Sequence, residues 1–345
     1  MMENQKILQS LSRQFCIDLL RVYKWRRIVR ILSIVMYLFV FCWCLFVLFG
    51  GYFITYMDWE VERTVTQYIV PLFVGFIALN FLFTHSLAKF QEQENSLMRR
   101  SLSALFPSVS CDFTSQLDER ILSDSNLFNS SFSDPALGVT TYGCLQLERD
   151  GQIFQVADIG VSYGWLNKLE LNSVTSYPIL LYRYVIRPLF TSRFEGSRHN
   201  FRSMFGWCRM EETFQGRVIL LPVRPEQKKG YFATNVQGLK RRYNSRLIHT
   251  DDREFENYFA VYADKEETAC RLLTPVMMRR IIHLREAFGR DMLLSFKKNI
   301  FYYAVVMPDG FLCLRKQALD NEHLFEQIYN DISLSFRMAD ELRRN

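Results

Sequence analysis

Apolar positions along this chain follow three different spacings, and each predicts a different kind of element. Residues 31–56 and 65–88 are two nearly uninterrupted apolar runs separated by a short acidic turn. Each exceeds the about 20 residues with which a helix crosses a bilayer, where only helices and closed barrels satisfy the backbone. The pattern therefore predicts a transmembrane helical hairpin. Before it, Leu8, Leu11, Phe15, Leu19 and Val22 recur every three or four residues, with Lys6, Arg13, Arg21 and Lys24 on the other side. That is an amphipathic leader helix, suited to a headgroup layer or to the surface of a folded domain. From 89 to 100 the composition turns to Gln, Glu, Asn and Arg, so the second helix is expected to continue as a polar stalk. A Ser-, Asp- and Asn-rich connection, 101–135, follows.

Beyond 135 the period drops to two. Residues 139–146 and 152–163 alternate around Asp150-Gly151, which predicts an antiparallel hairpin. Residues 177–190 are apolar and aromatic but hold Arg183, Arg187 and Pro188, and are too short to span. They fit a core element or a membrane-surface contact. Two further strands, 203–213 and 216–223, meet at Phe214-Gln215-Gly216. Residues 254–263 read as a strand, and Asp264 with Glu267 has the form of a capping box. Thr274-Pro275 offers an N-cap with proline at the first helical position, Met277, Ile281, Leu284 and Phe288 line one face, and Gly289 stops that helix. A hairpin over 292–296 and 300–307, a turn into a strand at 311–315, and a last helix with Phe325, Ile328, Ile332 and Phe336 inward complete the pattern. The fold class is α+β: a two-helix transmembrane hairpin, then a cytoplasmic domain with antiparallel sheets and packed helices. The expected divisions are 1–30 leader, 31–88 hairpin, 89–135 linker and 136–345 domain, the last divisible at 250.

Charge gives the hairpin an orientation. Lys24, Arg26, Arg27 and Arg30 precede the first run, Lys89, Arg99 and Arg100 follow the second, and Asp58, Glu60 and Glu62 dominate the turn. Both termini are expected in the cytoplasm. Pro71, Asn80 and His85 in the second run fit helix packing better than transport. With 345 residues, 49% hydrophobic and net charge +6, the chain lies outside the disordered and collagen-like classes. Its eight cysteines are scattered, as free thiols in a reducing compartment would be.

The sequence carries few motifs for chemistry. His85, His199, His249, His283 and His323 are far apart and form no metal-binding spacing, and no nucleophile elbow, P-loop or dinucleotide fingerprint occurs. Asp251-Asp252 would point to opposite faces of a strand, and Cys270 has no base beside it. No catalytic residue, metal or cofactor is expected. Candidate contact residues are basic: Lys228, Lys229, Lys240, Arg241, Arg242 and Arg246, interleaved with Tyr231, Phe232 and Tyr243, and on the helix after Pro275, Arg279, Arg280 and Arg285. The first group suits anionic lipid headgroups, a nucleic-acid backbone with stackable bases, or a plain solvated loop.

Phe255, Tyr258-Phe259, Val261-Tyr262, the run Ala269 to Pro275 and Ala287-Phe288-Gly289, together with a Phe205-Gly206 to Gly216-Arg217 hairpin, resemble a bacterial membrane-protein family known as domain of unknown function 3137. The resemblance implies that architecture and a bacterial inner membrane, and it implies no activity. The expected function is a membrane-anchored interaction or scaffold module with an unidentified protein partner or a second copy of itself. The alternatives are an enzyme at the inner leaflet, or binding of anionic lipid through the basic loop, with nucleic acid the least favoured partner.

Overall fold

The structure, a computed structural model, describes residues 14–56, 59–114, 117–128, 138–149, 152–162, 201–223, 245–308, 310–314 and 324–343. The chain divides into two compact units, one built on Ser12–Leu97 and the other on Met98–Glu170 and Arg198–Asn345.

The first unit is helical. Helix α1 spans Cys16–Tyr56, and α2 spans Trp59–Leu105, its last turns belonging to the second unit. Burial falls at multiples of seven: Phe15 just before α1, Val22 and Met36 along it, and Phe76, Phe83 and Leu97 along α2. A seven-residue repeat is the mark of a coiled-coil seam, and Phe39 stacks on Phe76 with ring centroids 5.4 Å apart.

Among the described residues no helix is long and apolar enough to cross a membrane. This overturns the transmembrane hairpin and, with it, the two-pass inner-membrane location. Asp18, Arg21, Lys24, Arg26, Arg27 and Arg30 occupy the first third of α1. In α2, Asn80, Thr84 and His85 dilute the apolar run before the polar stretch that begins at Lys89.

The second unit is built on an antiparallel sheet. Its strands are β1 Val109–Asp112, β2 Gly138–Arg149, β3 Gln152–Ser162, β4 Phe201–Arg209, β5 Arg217–Pro222, β6 Arg246–Ile248, β7 Phe259–Ala263, β8 Met292–Lys297 and β9 Ile300–Val306. Their order across the sheet is β1-β2-β3-β4-β9-β8-β5-β7-β6. Among the described residues the unit also holds helices α3 Glu119–Ser125, α4 Arg253–Tyr258, α5 Glu266–Leu272, α6 Pro275–Phe288 and α7 Leu324–Arg343. Because side chains alternate along a strand, each central strand feeds two cores. Ala157, Ile159, Phe205, Ile219, Leu293, Tyr302 and Ala304 form one with Leu122, Leu127 and Phe128. On the opposite side Tyr303 reaches α7, its hydroxyl donating to the Ser335 carbonyl at 3.4 Å.

The hairpins β2–β3 and β8–β9 form as the alternation predicts. Strands β4 and β5 form too, but they do not pair with each other. β4 pairs with β3 and β9, and β5 with β8 and β7. The Phe214–Gly216 turn reverses the chain without choosing a partner, and the later hairpin β8–β9 inserts between the two. Residues 254–258, expected as the start of a strand, lie in α4 because Asp252 caps the Glu254 and Phe255 N–H groups. Asp264 caps no helix: its carboxylate accepts from the Arg217 N–H at 2.8 Å, and the cap position before α5 is Lys265. Residues 310–314 form no strand.

Helix α6 obeys its sequence signals. Thr274 accepts from the Met277 N–H at 3.2 Å, Pro275 opens the helix, and Gly289 closes it at φ 59°, donating to the Arg285 and Glu286 carbonyls. Thr274→Ala is expected to cost about 1 kcal/mol in chemical denaturation, with Thr274→Ser close to the parent.

Candidate functional site

The described residues bring buried charge together at the Tyr142 end of β2–β3–β4. Asp158 stands in β3 with no exposed surface, among Phe154, Val156 and Met204, all buried. Arg202 of β4 reaches it in a forked contact, Nε donating to Oδ1 at 3.2 Å and Nη2 to Oδ2 at 3.1 Å. The backbone N–H groups of Phe311 and Leu312 also donate to Oδ2, each at 2.9 Å. Burial works against the guanidinium's charge, but Asp158 more than offsets it, and Arg202 is held charged more firmly than an ordinary arginine.

Two backbone irregularities shape this place. The register of β2 against β3 shifts between Thr141 and Gly143, leaving Tyr142 as the extra residue of a bulge. Its ring lies 4.1 Å under the Arg202 guanidinium. Gly310 turns the strap 310–314 at φ 89°, where a Cβ would collide with Arg202 and Cys313. Cys313 receives the second bond of Arg202 Nη2, with its sulfur 3.6 Å away. The carboxylate accepts four donors. It fastens the strap, whose Phe311, Leu312 and Leu314 are buried, to the sheet.

Two of the predicted contact arginines have partners within the chain. Arg280 donates to the Glu341 carbonyl at 3.2 Å, satisfying the last turn of α7. Arg285 pairs with Asp291 at 3.6 Å and lies over the Tyr258 ring at 4.7 Å. Tyr258 donates to Glu286 at 3.0 Å, a bond that raises its pKa. Arg279 is exposed on α6 and Arg246 is exposed on β6. Lys228, Lys229, Lys240, Arg241 and Arg242 lie outside the described residues, as does the 177–190 segment. Asp251-Asp252 is accounted for by the cap on α4. Among the described residues no three His, Cys, Asp or Glu side chains are placed to hold a metal.

Sequence reasoning missed Asp158 and Arg202. The available signal was an acid in a strand apolar on both faces, a placement that demands a buried partner.

Thiols divide by environment. Burial pushes Cys111 and Cys208 up to about 12 and Cys144 to about 11, from an ordinary 9.0, while Cys16, Cys42 and Cys270 are exposed. Only the thiolate alkylates, so at pH 8 iodoacetamide is expected to modify the exposed three and to spare buried Cys208 and part-buried Cys111 and Cys144 until the chain is denatured. These raised values also set a pH dependence. Unfolded thiols ionise first, so the stabilisation is complete below about pH 9 and is lost as pH rises towards 12.

The first unit presents a different surface. Ile17, Leu20, Ile31, Ile34, Leu38, Phe41 and Leu45 on α1 are between 39% and 67% exposed, and Val74, Ile77 and Phe81 on α2 between 53% and 70%.

A crystal structure of the mycobacterial trehalose monomycolate transport factor A is similar to this chain at 12% identity, covering 71% of this chain and 94% of that one, with a TM-score of 0.35. At that score the likeness carries no argument. No curated protein matches. A family model described as "Protein of unknown function (DUF3137)" matches residues 199–344, from just before β4 through α7. The later strands and helices of the sheet unit are thus similar to the DUF3137 family.

Proposed function

We propose that this chain is a protein-interaction or scaffold module whose binding surface is the outward apolar stripe of α1 and α2. The observation that carries this reading is the stripe itself. Apolar patches of more than a few hundred Å² are rare on monomers that stay alone in water. On α1 the exposed apolar side chains extend from Ile17 to Leu45, about 40 Å at the helical rise. The sheet unit offers nothing comparable: Ile153, Val223, Leu247 and Val276 are its exposed large apolar residues among those described, and they are widely separated in sequence and carried by different segments. Its buried carboxylate Asp158 is fully engaged, which favours a structural over a chemical role for that cluster.

Site-directed photo-crosslinking in living cells tests the reading. A photoreactive residue in place of Leu38 is expected to give discrete protein adducts. The same residue in place of Glu92, a solvent-exposed position on α2, is expected to give none. Equal adduct patterns at the two positions would remove the stripe as a binding surface.

A further inference from the structure

Resting on that reading, we infer that the partner of the α1 stripe is α1 of a second copy of this chain, packed antiparallel about a two-fold axis near Val29. The outward positions Ile17, Leu20, Lys24, Arg27, Ile31, Ile34, Leu38 and Phe41 are all exposed, and their spacing runs three, four, three, four, three, four, three. That is a second coiled-coil seam, on the side of α1 away from Phe15, Val22 and Met36. A sustained alternation of three and four is what another helix demands of its neighbour. Leu45 extends the same series.

The order of residues in the seam chooses the direction. The spacing reads the same from either end, so it is self-complementary under a two-fold axis, as an isologous interface must be. About Val29 the pairs are Ile17 with Phe41, Leu20 with Leu38, Lys24 with Ile34, and Arg27 with Ile31. Each cation then meets an aliphatic side chain, along which its own stem can lie while the charge reaches water. A parallel pair would instead set Lys24 against Lys24 and Arg27 against Arg27, two like-charge contacts in one seam. Six apolar seam residues, each about half exposed, supply roughly 600 Å² per copy, or about 1,200 Å² in all, at the lower end of the range of a stable interface.

This register also brings together two native cysteines. Cys16 and Cys42 are both exposed, each one residue outside the terminal pair Ile17 and Phe41, and the two-fold axis sets Cys16 of one copy beside Cys42 of the other. Within one helix they stand about 39 Å apart, beyond the reach of a short bifunctional thiol reagent.

The test uses the full purified chain. Sedimentation equilibrium is expected to show a dimer. A bismaleimide of about 10 Å reach should yield a Cys16–Cys42 cross-link between copies, lost in Cys16→Ser and in Cys42→Ser. Leu38→Glu should weaken the dimer at least tenfold. Lys24→Leu with Arg27→Leu, which complete the apolar seam, should tighten it by a similar factor. Cross-links joining Cys16 to Cys16 would overturn the antiparallel register, and a monomer at all concentrations would overturn the self-association. If the chain is monomeric while Leu38 still forms adducts with a foreign protein in cells, the interaction reading survives without this partner. If neither is seen, both fall.

Discussion

Gly206→Ala is expected to remove about 3 kcal/mol of stability, the upper part of the range for overpacking a filled core. Gly206 sits in β4 opposite Tyr303 of β9. A Cβ there would overlap the Tyr303 ring at Cζ and at the hydroxyl oxygen, with Cε1 only 2.6 Å away. The ring cannot retreat, because it is fully enclosed, stacks on Phe301 at 5.5 Å, and ends on the Ser335 carbonyl of α7. Burial also drives its hydroxyl pKa well above the ordinary 10.0, so relief by ionisation is closed. Shortening the obstacle should help: in the Gly206→Ala background, Tyr303→Leu is expected to recover part of the loss, although alone it destabilises by opening a cavity. Urea denaturation of the two single variants and the double variant measures this coupling. A loss below 1 kcal/mol for Gly206→Ala would mean that β9 and α7 stand further from β4 than described.

Asp158→Asn is expected to cost about 3 kcal/mol, because removing one member of a buried pair leaves the other charge uncompensated. Arg202 keeps 20% side-chain exposure, so water can reach part of the guanidinium, and this places the loss at the lower end of the usual range. The amide would also turn an N–H₂ donor towards donors already present, the Phe311 and Leu312 N–H groups. The double variant Asp158→Leu with Arg202→Met should recover much of the stability by replacing the pair with apolar bulk. Strap and pair are separable in this experiment. If the double variant is as unstable as Asp158→Asn, then the two backbone bonds to the strap, rather than the uncompensated charge, carry the energy.

Local signals in the sequence were strong wherever a residue acts on its own neighbours. Thr274, Pro275 and Gly289 bound α6, and alternation around 150–151 and 297–299 marks two hairpins, because caps and tight turns are made within a few residues. The same signals were silent or misleading where the partner is distant. Asp264 has the spacing of a cap but is taken by the Arg217 N–H, 47 residues away. Asp252 was read as half of an unproductive acid pair, although it opens a helix. Strand pairing around β5 depends on β8, which the chain makes much later. The apolar runs in the first unit have the length and flanking charge of spans, whereas the outward three-and-four spacing on α1 is informative about what it packs against. Of the candidate site, the arginines on α6 were visible as charge off an apolar line. Their engagement by Glu341, Asp291 and Tyr258 depends on α7, on the loop before β8 and on α4, and none of these could be placed beside α6 from sequence.

Hydroxyl-radical footprinting of α1, with the chain in the cell and then purified and dilute, is the most direct measurement of the central claim. A stripe that is a protein-binding surface predicts that Ile34, Leu38 and Phe41 are protected in the cell and become reactive on dilution, while Tyr302 and Phe296 in the sheet unit stay protected throughout. Equal reactivity of the three stripe residues in both states would contradict it.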